Sequence, residues 1–366
     1  MSWPADRDGL RFVPFGEENA TAVNDLFRSV FGLARGPDHQ RWKFLSGPAG
    51  PGLGCVALAP DGRAVAANLG VVWPFQVAGR EVRLMQTCET AIRPEWRGLR
   101  TFREITAGLG RLAADRGVVA SYGGRIAEAP LVLGRRLFGY RQILELPFLE
   151  ARLSLGPALG RLFGPAGAGL GLLLDRLRRR RPHPAEDRFR IRPVTAYGPE
   201  FDRLWRRRRG GLRVARIRSA TVLGHRYGAC PVDRSPAWLA EDDDGPAGFL
   251  VLRLRREEGG VTVATVLDHL DGGDPALAAA LLARAGREAA ADGAAFLRLA
   301  PRPGSALAEA AVGLPGFAPS RREPPDRVVV SLLPCKAAAD PANDWIAEIL
   351  DPDAWTYAPG DSDFHD

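Results

Sequence analysis

From Glu89 to Phe102 the chain reads Glu-Thr-Ala-Ile-Arg-Pro-Glu-Trp-Arg-Gly-Leu-Arg-Thr-Phe. Val82 to Ile92 has the composition of a strand, and Thr101 to Arg116 repeats apolar side chains at helical spacing. Between them lies a short basic turn holding Arg97, Gly98 and Arg100. A strand that turns straight into a helix leaves the first backbone N–H groups of that helix without partners. The helix dipole adds partial positive charge at the same place. Such a turn suits a phosphate group. The pattern predicts a phosphate-bearing cofactor in the N-terminal half, and therefore an enzyme.

The elements that must position this turn follow from periodicity. Arg11 to Phe15 reads as a strand, Glu18 to Phe31 as an amphipathic helix through Ala22, Val23, Leu26, Phe27 and Val30, and Pro37 to Leu45 as a shorter helix. Cys55 to Ala59, Ala64 to Val77 and Val82 to Ile92 read as strands joined by turns at Asp61-Gly62 and Ala78-Gly79. After the basic turn come the helix closed by Gly117, a strand from Val118 to Tyr122, a helix from Ala127 to Leu137 ended by Gly139, and a strand from Gln142 to Leu153. Tight turns make the middle strands antiparallel, and only the later part has a parallel strand–helix–strand pattern. An α/β fold with a mixed sheet and helices on both faces is expected.

The order recurs. Phe189 to Val194, Gly248 to Arg253, Val261 to Leu267, Ala295 to Leu299 and Arg327 to Leu333 read as strands. Pro199 to Arg209, Ser219 to Tyr227, Asp274 to Ala291 and Gly304 to Val312 read as helices. The turn matching the first one is Leu270-Asp271-Gly272-Gly273-Asp274-Pro275, and its chemistry is opposite. Asp274 before Pro275 is a strong N-cap, whose carboxylate would satisfy the N–H groups a phosphate needs and repel its charge. Asp268 and His269, at the end of the preceding strand, form the one His/Asp pair of note. No Ser or Cys elbow accompanies them, which argues against hydrolysis. The expected layout is a first domain over 1–154, a linker over 155–186, a second domain over 187–334 and a tail over 335–366. Trp345, Trp355 and Tyr357 are placed to pin that tail.

The chain has 366 residues, 46% of them apolar, and a formal net charge of +7. The length suits two domains, and the positive balance favours anionic partners. The runs Arg178 to Arg181 and Arg206 to Arg209 read as solvated helix ends or linker. They lack interleaved aromatics, and no helix-turn-helix or zinc-finger spacing is present, so DNA binding is not expected. Cys55, Cys88, Cys230 and Cys335 show no CxxC spacing, which argues against a metal site and fits buried thiols in a reducing cytoplasm. Leu153 to Leu174 is apolar but broken by Pro157, Arg161 and Pro165, so it reads as a partly helical connector or surface amphipathic segment, not a membrane span.

Arg97-Gly98-Leu99-Arg100-Thr101-Phe102 resembles the Arg/Gln-x-x-Gly-x-Gly/Ala signature of the GCN5-related N-acetyltransferase superfamily. Pro94, Glu95, Trp96, Arg97, Gly98 and Phe102 match a variant seen in bacterial tandem members, and Leu137-Phe-Gly-Tyr140 is similar to that family's Leu-x-Gly-Phe. The likeness covers residues 10–150 well and 187–334 more weakly, as two tandem domains of this type. It departs at Arg100, which stands where the signature has its first Gly, and at Phe102, which replaces a second small residue. Arg100 either clamps the phosphates or blocks them.

The resemblance implies that acetyl-coenzyme A, or another acyl-coenzyme A, binds along Thr90, Ala91 and Ile92 with its diphosphate on Arg97, Gly98, Leu99, Arg100, Thr101 and Phe102. It implies no metal. The amine acceptor must lose a proton, and Glu89 is the first candidate base. The family's acid tyrosine falls on Arg135, so Tyr122 is the candidate replacement. Arg125, Glu128, Arg135, Asp268 and His269 are candidate substrate contacts, and strand alternation turns Cys88 away from Glu89. The function expected is N-acylation of a small amine, such as an amino sugar or a metabolite amine, by a cytoplasmic protein compatible with a homodimer. Two alternatives stay open: a Fem-type transferase using aminoacyl-tRNA, and a non-catalytic protein that binds a ligand or partner.

Overall fold

The computed structural model describes residues 3–7, 9–32, 35–126, 128–177, 182–257, 260–333 and 343–362. The Arg178 to Arg181 run, Cys335 and the beginning of the tail lie outside the described residues. The first half contains β1 (Arg11–Pro14), α1 (Ala20–Phe31), α2 (Pro37–Phe44), β2 (Leu53–Leu58), β3 (Ala64–Val77), β4 (Arg80–Ile92), α3 (Leu99–Asp115), β5 (Val118–Gly123), α4 (Glu128–Phe138), β6 (Arg141–Leu146) and β7 (Leu149–Arg152). A long helical segment, α5 (Gly156–Leu177), follows. Then come β8 (Arg190–Pro193), α6 (Pro199–Arg208), β9 (Val214–Arg216), α7 (Ala220–Leu223), β10 (Ala237–Asp242), β11 (Gly245–Arg256), β12 (Thr262–Leu270), α8 (Pro275–Ala291), β13 (Phe296–Leu299), α9 (Ala306–Gly313), β14 (Phe317–Pro319), β15 (Asp326–Leu332) and β16 (Trp355–Thr356).

These elements build two mixed sheets. The first runs β1-β2-β3-β4-β5-β15-β6, with β9 paired to the end of β3 and β16 to β9. The second runs β14-β7-β13-β12-β11-β10-β8. The expected mixed α/β architecture is present. The sheets, however, do not follow the boundaries read at 154 and 187. The strand expected from Gln142 to Leu153 is two strands, because Pro147 has no N–H to continue the ladder and Phe148 buries its ring at the break. The second piece, β7, crosses into the other sheet between β13 and β14. In return β15 enters the first sheet between β5 and β6, antiparallel to both. Each half lends the other a strand.

One apolar core also runs through both halves. It joins Phe27, Trp73 and Tyr122 to Phe201, Leu223 and Leu267, and to Ile349, Trp355 and Tyr357 of the tail. Burial of the three tail aromatics, Trp345 included, pins the tail as their types suggested.

A closed ring of charges crosses the same region. Arg216, at the end of β9, forms ion pairs with Asp268 of β12 at 3.0 Å and with Asp361 of the tail at 2.9 Å. Arg218 bonds the same two carboxylates at 2.8 and 3.1 Å. Arg216 also donates to the Gly360 carbonyl at 2.8 Å, and Arg226 donates to that of Ser362. All four charged side chains of the ring are buried, and two positive charges meet two negative ones. Burial alone would raise the Asp268 carboxyl, but Arg218 and Arg216 outweigh it and hold it below its ordinary 3.8.

A carboxyl held low contributes stability that is present above its unfolded value and lost as pH falls through the folded one. Asp268→Asn leaves two buried guanidiniums facing one carboxylate. We expect it to cost about 3–5 kcal/mol in urea unfolding at neutral pH. The gap to the parent should narrow as pH falls below the ordinary 3.8 and through the lower value of the folded Asp268. A pH-independent gap would show that the charge ring is not the source.

Candidate active site

Parallel strands β4 and β5 pair only from Arg83↔Val118 to Gln86↔Tyr122. Beyond that point they separate. On the other edge of β4 the register jumps from Gly70↔Thr87 to Leu69↔Glu89, so Cys88 is an extra, bulged residue. A bulge bends its strand and increases its twist, which turns the end of β4 away from β5. The opening is a cleft of ≈ 240 Å³. Thr87, Cys88, Glu89 and Thr90 line one wall; Ser121, Gly123, Arg125 and residues Val329 to Ser331 of β15 line the other; Phe102 and Thr106 of α3 and Tyr140 complete it. Cys88 borders the cleft at the bulge and packs against the main apolar core, the core role that alternation expected of it.

The free edge of β4 leads to the basic turn. A short helical turn, Pro94–Trp96, precedes Gly98, and the first intrahelical bond of α3 is Phe102 N–H to the Gly98 carbonyl. Among the described residues no side chain caps the Leu99, Arg100 or Thr101 amides, and a Cβ added at Gly98 would meet open space. The matching helix α8 is capped as its sequence required: Asp274 accepts from Ala276 at 2.9 Å and Leu277 at 3.3 Å. Arg97 is exposed and donates weakly to the Ile92 carbonyl at 3.4 Å. Arg100 lies outside the turn, paired with Glu104 at 3.2 Å and 69% exposed. Glu104 is held more firmly by Arg7, at 2.7–2.9 Å.

Glu89 is 8% exposed. Arg35 binds both its oxygens and Lys43 one of them, each at 2.5 Å. A carboxylate offers about four acceptor positions, so roughly one is left, on Oε2. Along the cleft lining Thr90 donates to Asn68 at 3.0 Å, and Asn68 donates to Thr106 at 3.1 Å. Tyr140 hydrogen-bonds Thr87, and burial raises its phenol above the ordinary value of 10.0.

Of the residues nominated from sequence, Glu89, Thr90, Phe102 and Arg125 line this cleft, while Ala91, Ile92 and the turn continue from it. Tyr122 does not line it. Ser121 and Gly123 face the cleft, so Tyr122 points through the opposite face of β5. There it packs on Phe75 and Trp355 and donates to the Asp361 carbonyl at 3.0 Å. Asp268 belongs to the buried charge ring, and His269 lies beside Asp271 at 3.6 Å, so the pair forms no dyad. Glu128 pairs with Arg327 and Arg135 with Gln142, both on the exposed surface and away from the cleft. Arg125 adopts φ 54, held by its N–H to Asp326 at 3.0 Å and its guanidinium to Glu323 at 2.6 Å.

Arg35, Lys43, Asn68 and Tyr140 were missed as site residues. Asn68, a polar residue inside an apolar strand, was the signal that could have been followed. A larger groove of ≈ 920 Å³ lies at the other end of β4, around Arg83, Arg116, Trp205 and Trp345. None of the nominated residues borders it.

No family model and no curated protein matches the sequence. Solved structures do match. A GCN5-related N-acetyltransferase from Anabaena variabilis superposes with a TM-score of 0.63 at 13% identity, covering 90% of this chain and 74% of that one. A GCN5-related N-acetyltransferase from Kribbella flavida gives 0.57 at 19%, covering 88% and 71%. Saccharomyces cerevisiae N-myristoyltransferase with bound myristoyl-CoA gives 0.58 at 10%, covering 90% and 84%. The chain has the fold of these acyltransferases, the fold its basic turn resembled.

Glu89→Gln would remove the buried carboxylate that Arg35 and Lys43 share. It should destabilise the protein by about 3–5 kcal/mol. Replacing Arg35, Lys43 and Glu89 together by Met, Met and Leu should recover most of that loss in urea midpoints. Equal stability of the single variant and the parent would refute the ion-paired role.

Proposed function

We propose that this protein is an acyl-coenzyme A dependent N-acyltransferase acting on a small amine, with acetyl-coenzyme A as the donor. One observation supports this above the rest: the gap between β4 and β5 runs directly into three uncapped amides at the start of α3. An extended amide-bearing arm can pair with the free edge of β4 at Thr90 to Ile92 as an added strand does. A diphosphate then meets the Leu99, Arg100 and Thr101 N–H groups at the positive end of the helix. Arg97 adds charge, and Arg100 can turn to the phosphates at little cost because Arg7 keeps Glu104 paired.

The thioester carbonyl then lies near the bulge. The amine nitrogen attacks that carbon, the C–S bond breaks and the thiolate leaves. The remaining acceptor position on Glu89 takes the amine proton, directly or through one water. Glu89 is the one carboxylate lining the cleft among the described residues. Tyr140, which lines the same cleft, supplies the proton for the thiolate.

Calorimetric titration with coenzyme A tests the cofactor reading. Micromolar binding is expected, weakened about tenfold or more by Arg97→Ala and by added salt. Binding of aminoacyl-tRNA without coenzyme A would favour the Fem-type alternative, and binding of neither a non-catalytic role. Tyr140→Phe should keep coenzyme A affinity and lower kcat by about 10²-fold. Unchanged kcat would remove Tyr140 from the chemistry.

A further inference from the structure

The segment between the halves is a helical hairpin. In α5 the helix breaks at Phe163 and Gly164, the latter at φ 65, and resumes at Pro165. Its two arms run antiparallel and close. Gly160 meets Ala168, and a Cβ on Gly167 would lie 2.3 Å from the Leu159 carbonyl oxygen. Asp175 locks the base by accepting from the Leu155 N–H at 3.0 Å and the Ser154 hydroxyl at 2.6 Å.

What the hairpin shows to solvent is apolar. Leu162 is 72% and Phe163 67% exposed at the tip, and Leu170 and Leu173 are about half exposed on the second arm. None of its described side chains belongs to an apolar core of either sheet. Between Leu155 and Leu174 the one charged residue is Arg161. A loop joining two domains has no need of such a surface, and an exposed apolar cluster marks an interaction site.

Charge decides the occupant. The sequence running on from the second arm is Arg176-Leu-Arg-Arg-Arg-Arg181, with five positive charges in six residues. A basic run beside an apolar element is attracted to anionic lipid whatever conformation it takes. The same charge opposes a second copy of this chain, and the apolar tip does not suit a nucleic acid. Among the described residues no helix is long and apolar enough to cross a membrane. We propose that the α5 hairpin is a peripheral membrane-docking element. Leu162, Phe163, Leu170 and Leu173 enter the headgroup boundary of an anionic bilayer, and the following arginines supply the electrostatic attraction.

The full chain is pelleted with vesicles of equal parts phosphatidylcholine and phosphatidylglycerol, and separately with phosphatidylcholine alone. At least tenfold stronger binding to the anionic vesicles is expected, weakened by added salt. The double variant Leu162→Ser/Phe163→Ser should bind at least tenfold more weakly, with an unchanged circular dichroism spectrum and melting temperature. Parent protein that stays in the supernatant with anionic vesicles overturns the proposal. So does a double variant that pellets as well as the parent, which would show attraction by charge alone. So does a dimer in sedimentation velocity that the variant dissolves while vesicles bind neither form.

Discussion

The fold depends on four buried charges that cancel one another. Arg216 and Arg218 stand between Asp268 on the second sheet and Asp361 on the tail, while β9, which carries Arg216, is itself part of the first sheet. Breaking a buried charge pair is costly, so the ring accepts few arrangements of the two sheets. It also draws the tail inward. Ser362 comes to rest against Gly124, where a Cβ would fall 2.6 Å from that of the serine. The end of β5, and with it one wall of the cleft, is thus shaped by the second half of the chain and by the tail.

The cleft is the product of a register error used constructively. One extra residue at Cys88 ends the partnership of β4 with β5 where chemistry requires space, and leaves a strand edge unsatisfied. The helix that follows adds unsatisfied amides instead of capping itself, as α8 does with Asp274. The difference between an open helix start and a capped one lies in a few residues at the mouth of each helix.

Much of this was legible in the chain. Helical spacing located α1, α3 and α8, and turn residues located the β3–β4 hairpin, because local periodicity and turn chemistry act within a few residues. The turn at Arg97 to Phe102 could be read for the same reason. Short strands such as β9, β14 and β16 carry too few residues for a period to show, and they exist because partners far along the chain hold them. The bulge at Cys88 left no local sign, although the core role read for that side chain holds. Tyr122 and Asp268 looked chemical by type and strand position, yet both serve the interior, which only the tail's course reveals. Arg35 and Lys43 come from the first two-helix segment and meet Glu89 across more than forty positions.

The strand exchange has a consequence for the birth of the molecule on the ribosome. When β6 emerges, the place beside β5 is still vacant, and it stays so until β15 has been made. At ordinary synthesis rates that interval is roughly 10–40 s. Through it the nascent sheet presents open edges, the feature that recruits unwanted strand partners. A chain built this way needs shielding during translation, by a chaperone or by its own later segments arriving quickly, before either half is complete.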